Sequence, residues 1–177
     1  MTKMKTILGL AMIAMVLFSS NGFAFGTSKK RTASFTVRVE NISAKDGLLA
    51  ADGSRYPFAL SPGYYAVSGS KYLEFFKEGK KASKGLEAQA EDGDAEMFGN
   101  WVVDMAFGGR YGLFNMPVGA SMAGPLLPGD AYEFTFDGTE GMKLNLITMY
   151  GQPNDLFYAP AKAISLFDHQ GNPLSGD

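Results

Sequence analysis

The chain has 177 residues, a formal net charge of −2 and no cysteine, with acidic residues outnumbering basic ones 18 to 16. This excludes a disulfide scaffold and any cysteine-based metal or redox centre, and it leaves no strongly basic surface of the kind that nucleic acids require. A single histidine also leaves little for a zinc site or a hydrolytic triad to be built from.

Lys3 and Lys5 precede an apolar run from Ile7 to Phe18, and Gly22-Phe23-Ala24 offers small residues to a signal peptidase. The pattern predicts a secretory leader over residues 1–24, cleaved after Ala24. The run is too short for a spanning helix, which needs about 20 apolar residues, so no transmembrane anchor is expected. With no cysteine after it, a lipid anchor is also excluded. The expected location is secreted or periplasmic, and the absence of cysteine in an exported chain suits a bacterial source. The chain beyond the leader is long enough for one domain with a self-sufficient core.

Residues 25–33, with Lys29, Lys30 and Arg31 together, read as a solvated arm. From Ser34 to Ile42, Phe35, Val37 and Val39 alternate with Thr36, Arg38 and Glu40, the period-2 signature of a half-buried strand. Pro57 to Ser68 is extended chain with a bulge or turn at Ser61-Pro62-Gly63. Tyr72 to Phe76 is a further apolar stretch. Ala82 to Glu91 carries the helix signal, ended by Gly93, with a second turn over Asp94 to Gly99 and strand character from Trp101 to Phe107. Gly108 to Gly129 supports no assignment. Ala131 to Asp137 and Met142 to Tyr150 alternate as strands around a hairpin turn at Gly138 to Gly141. Leu156 to Ala159 is a short apolar stretch, and Asp168 to Pro173 closes the pattern as a hairpin-like segment. The sum is mainly β: an antiparallel β-sandwich with one short helix, occupying residues 34–177.

Chemistry-bearing residues are sparse. Glu87, Glu91, Asp92, Asp94 and Glu96 form the densest acidic stretch, but an EF-hand loop starting at Asp92 would need glycine sixth and glutamate twelfth, where Met97 and Val103 stand. The acids read as a solvated helix end. His169 beside Asp168 lacks a nucleophile in a suitable setting, since Gly119-Ala120-Ser121-Met122-Ala123 misses the final glycine of a nucleophile elbow. Gly108-Gly109-Arg110-Tyr111-Gly112 matches no nucleotide-binding loop. Trp101 and the many Phe and Tyr residues read as core before they read as a glycan-stacking platform.

Three stretches, in order and spacing, are similar to the spondin domain family, which includes a domain of F-spondin and stand-alone exported bacterial proteins. They are Leu60-Ser61-Pro62-Gly63 with the residues after it, Phe76 to Phe98, and Leu127-Pro128-Gly129-Asp130 continuing through Leu144 to Met149 and Asn154-Asp155-Leu156-Phe157-Tyr158-Ala159. The resemblance implies a C2-like sandwich that binds Ca2+ through loop carboxylates, in a family associated with extracellular adhesion and matrix contact. The family's calcium-ligand aspartate falls on Asp155, with Asn154 and Asp168 as candidate neighbours. The family's remaining ligands belong to a later acidic motif that this chain ends before reaching. The resemblance therefore implies either a truncated form or an incomplete site, and a sandwich lacking its C-terminal strand with an exposed edge. The expected function is an exported, non-enzymatic binding module for an extracellular or envelope macromolecule, protein or glycan. The alternative is a calcium-independent structural protein of the envelope or matrix. An enzyme acting on extracellular polymers has no residue constellation behind it.

Overall fold

A computed structural model describes residues 13–20, 30–69, 74–104, 109–151 and 155–176. Its strands are β1 (Ile13–Ser20), β2 (Thr32–Asn41), β3 (Leu48–Leu49), β4 (Arg55–Tyr56) and β5 (Leu60–Ser68), followed by helices α1 (Lys84–Glu91) and α2 (Ala95–Asp104). Then come β6 (Arg110–Phe114), β7 (Ala131–Thr139), β8 (Lys143–Tyr150), β9 (Phe157–Tyr158) and β10 (Ile164–Ser165). The mainly β, antiparallel, sandwich-like architecture expected from the alternation is what the chain forms.

One sheet has the order β1-β2-β7 and the other β10-β8-β5-β6, with β9 also on β8; β3 and β4 form a separate small hairpin. The alternation in β2 works as read: Phe35, Val37 and Val39 are buried, and Thr36, Arg38 and Glu40 face outward. In β7, Tyr132 and Phe136 join the same interior as Phe35 and Val37, packed against Tyr65, Val67, Leu144 and Leu146 of the second sheet. β1 lies along β2 from Ile13 opposite Asn41 to Ser20 opposite Ser34, so part of the stretch read as a leader occupies this sheet edge. The cleavage expected after Ala24 falls outside the described residues, as does most of the expected arm.

The second sheet is covered on both faces. Residues Leu144 to Met149 are all buried. Leu144 and Leu146 point to the first sheet, whereas Ile147 packs with Tyr64 and Ala66 against Phe75, Leu86, Phe98 and Val102. A strand buried on both sides has no polar face to alternate, so the architecture is three-layered: sheet, sheet, helices.

The helical layer differs from expectation. α2 runs through the region read as one turn and then a strand, although Met105 to Phe107 lie outside the described residues. Trp101-Val102-Val103 has β propensity, but Ala95, Phe98, Gly99 and Val102 are all buried on one helical face. Asp94 starts the helix by accepting the Met97 N–H on Oδ1 at 2.8 Å. β6 emerges from the stretch that supported no assignment, and it pairs with β5 from Gly63 opposite Phe114 to Val67 opposite Arg110.

Candidate functional site

The bulge read at Ser61-Pro62-Gly63 is present as a register shift between Leu60 and Gly63 where β5 pairs with β8. It frees the Ser61 hydroxyl, which accepts from the Met149 N–H at 3.0 Å and from Gln89 Nε2 at 3.0 Å, and donates to the Pro62 carbonyl at 2.6 Å. Thr148 Oγ1 donates to the Ser61 carbonyl at 2.7 Å. Gln89 is fully buried, and its Nε2 also reaches the Pro62 carbonyl, at 3.2 Å. One side chain of α1 thus locks the helix onto the bulge.

α1 is capped at both ends. The Ser83 hydroxyl accepts from the Leu86 N–H at 3.1 Å, and beyond Asp92 the chain turns through Gly93 at φ +67°. The N–H groups of Asp92 and Asp94 both close on the Ala88 carbonyl, at 3.0 and 3.1 Å. The left-handed turn favours glycine, and a Cβ there would also lie 2.9 Å from that of Ser61. Asp92 and Asp94 therefore belong to helix caps, as the solvated-end reading has it.

The loop between β8 and β9 docks on this end. Asp155 donates its N–H to the Ala90 carbonyl at 3.1 Å, Gly151 donates to Ala59 at 2.8 Å, and Tyr150 donates to Leu156 at 3.0 Å. Asp155 has φ +69°, and among the described residues it is the non-glycine with positive φ. Asp tolerates that region better than most residues, but the conformation costs energy and is held by its surroundings. The Asp155 side chain is exposed. The stretches around Ser61, Gln89 and Asp155 are far apart in sequence and meet here.

Asp168 does not join them. Its loop is tied to the start of β8, where the Leu166 N–H reaches the Met142 carbonyl at 3.4 Å, whereas the Asp155 loop lies beyond the end of β8. At about 3.3 Å per residue the strand separates the two aspartates by roughly 25 Å, too far to share one ion. Asp168 is also committed locally. Its Oδ1 accepts from the N–H groups of Gln170 and Asn172, both at 2.8 Å, and its Oδ2 from Asn172 Nδ2 at 2.9 Å. These bonds, with Asn172 foremost, and the nearby Arg31 hold its carboxyl below the usual carboxylate range. His169 is exposed at the tip of that turn. Asn154 lies outside the described residues.

Among the described residues no group of three or more His, Cys, Asp or Glu side chains is arranged to hold a metal ion. Beside the docked loop, Phe76, Leu86, Trp101 and Phe157 line a half-open cavity of about 430 Å³ whose wall carries Lys77, Lys80 and Lys81. Glu74 and Glu78 stand on the same wall, so the charge around it is mixed. Trp101 is half-buried, packed on Phe98 at 5.3 Å, and the cavity it lines was not legible from spacing. No helix among the described residues is long and apolar enough to cross a membrane.

Compared with known protein families, with curated proteins and with solved structures, the chain has no match.

Proposed function

We propose that the chain is an exported, non-enzymatic binding module in which Asp155 anchors a calcium ion, and that the ion orders a surface engaging an extracellular or envelope macromolecule in adhesion or matrix contact. The observation that carries this reading is the docked Asp155 loop: a positive-φ aspartate with an exposed carboxylate, its backbone fastened to Ala90. Two residues further on, Phe157 lines the aromatic and lysine-bearing cavity, so an ion at Asp155 would steady one wall of a recognition surface. Calcium takes 6 to 8 oxygen ligands, and Asp155 alone supplies two at most. The remainder would have to come from water and from neighbouring loop residues that lie outside the described ones.

A second reading is favoured by the loop's own hydrogen bonds. Asp155, Gly151 and Tyr150 are already fastened to protein carbonyls, as a calcium-independent structural protein of the envelope or matrix would require.

The thermal midpoint of the chain in excess EDTA and in calcium separates the two. Binding to the folded state alone adds about 2.7 kcal/mol at a hundredfold excess of ligand over the dissociation constant. The binding reading expects such a rise, and expects it to vanish in Asp155→Asn, which keeps the shape and the tolerance for positive φ. The absence of any rise in the parent chain would leave the structural reading standing.

A further inference from the structure

We propose that removal of the leader opens the outer edge of β2, and that this edge then pairs antiparallel with β2 of a second copy to form a twofold dimer; the inference rests on the export reading above. The direction of the backbone groups identifies the edge. Asn41 donates its N–H to the Asp130 carbonyl at 3.0 Å and accepts from the Gly129 N–H at 2.7 Å, while the Arg31 carbonyl accepts from Glu140 at 2.8 Å. Odd-numbered residues of β2 therefore aim both polar groups at the β7 side. Alternate residues of an antiparallel strand aim theirs to opposite sides. Ser34, Thr36, Arg38 and Glu40 consequently point to the other edge, where Ser20, Phe18, Val16 and Ala14 stand opposite them in β1.

Without residues 13–20, those four residues lose their backbone partners along a regular stretch. Proteins blunt such edges with proline, bulges or inward-pointing charges. Here the pairing of β2 with β7 runs without a register shift from Thr32 to Glu40, the strand has no proline, and its inward residues are Phe35, Val37 and Val39. Among the described residues only β1 covers this side of β2.

The strand is complementary to itself. In a twofold pair even residues face even residues, so Phe35, Val37 and Val39 of both copies stay on the interior side. Centring the axis on Arg38 sets Arg38 against its own copy, which like-charge repulsion disfavours. Centring it on Val39 sets Arg38 against Glu40 but joins only the last part of each strand. Centring it on Val37 sets Thr36 against Arg38, Ser34 against Glu40 and Phe35 against Val39, and pairs the strand from Ala33 to Asn41. The four residues that β1 covered then all find backbone partners in the other copy. Arg38 needs no acid from the second copy, because Glu40 at 3.2 Å and Glu133 at 3.8 Å already neutralise it. The Val37-centred register is the one proposed; a Thr36-centred pair, which would set Ser34 against Arg38, also keeps Arg38 from its own copy, and the cysteine pair below separates the two.

Light scattering on the chain that begins at Phe25 tests this. A dimer at micromolar concentration is expected, against a monomer when residues 13–20 are retained. Thr36→Pro removes an edge-facing N–H and leaves the β7 ladder intact, so it should give a folded monomer. Thr36→Ala, which loses the same hydroxyl contact to Thr135 but keeps the N–H, should remain dimeric. Because the chain has no cysteine, mixing Thr36→Cys with Arg38→Cys should give the crossed disulfide that only the Val37-centred register allows. A folded monomer from Phe25, or a dimer that survives Thr36→Pro, overturns the proposal. The intact mass of the exported protein tests the export reading separately, since a retained leader would overturn that reading whatever the Phe25 chain does.

Discussion

Asp155 and Asp168 show how far one residue type can diverge with its setting. Asp155 spends its backbone on Ala90 and leaves its carboxylate exposed, whereas both Asp168 oxygens are filled by Asn172 and Gln170. The filled carboxylate is a pH-linked contact. Its folded pKa lies below its ordinary value of 3.8, so its contribution to stability is complete above that value and is lost as pH falls through the lower, folded one. The stability difference between the parent chain and Asp168→Ala should therefore stay constant from neutral pH to about pH 4 and shrink below it. Denaturant titrations at several pH values measure it. A difference that grows on acidification would contradict the assigned hydrogen bonds.

At the level of elements, close packing across glycines decides how the helical layer sits. A Cβ at Gly99 would lie 2.4 Å from Tyr64 Cε2, and one at Gly85 2.8 Å from the Trp101 Cβ. At Gly63 a Cβ would meet the Ile147 carbonyl oxygen and Phe114 Cζ, both at 2.3 Å. Overpacking costs about 1–3 kcal/mol, and alanine in a helix recovers about 1. Gly99→Ala, where a ring edge is the obstacle, should thus lose only about 1 kcal/mol net. Gly63→Ala gains no helix propensity and meets backbone, so it should lose about 3 kcal/mol or more. Chemical denaturation of the two variants gives the ranking, and a neutral Gly63→Ala would refute the packing of β5 on β8.

For the whole molecule, β8 is the shared wall. Leu146 belongs to the interior between the sheets and Ile147 to the interior under the helices, and both are buried. Truncating either to alanine should cost about 2–5 kcal/mol. If the three layers fold as one unit, both variants shift a single thermal transition. Two separable transitions in Ile147→Ala would mean that the helical layer melts on its own.

The local patterns were legible where one face of an element meets water. The alternation of β2 and β7, the bulge at Ser61-Pro62-Gly63 and the capped α1 all depend on neighbours within a few residues, and the sequence alone determined them. The hairpin expected at Gly138 to Gly141 is instead a turn after Thr139 that carries the chain from β7 in one sheet to β8 in the other, because which strands pair is not a local property. α2 was not legible in full, because the β propensity of Trp101-Val102-Val103 yields to the burial of Phe98 and Val102 under Tyr64, a contact no local window contains. The second buried face of β8 was hidden for the same reason: a strand covered on both sides loses the polar half of its alternation. Asp155 was legible as a candidate, while its separation from Asp168 was not, because nothing in the sequence says that a strand's length lies between them. Tertiary structure alone decided which side chains meet, since the convergence of Ser61, Gln89 and Asp155 depends on sheet register and helix docking rather than on any spacing along the chain.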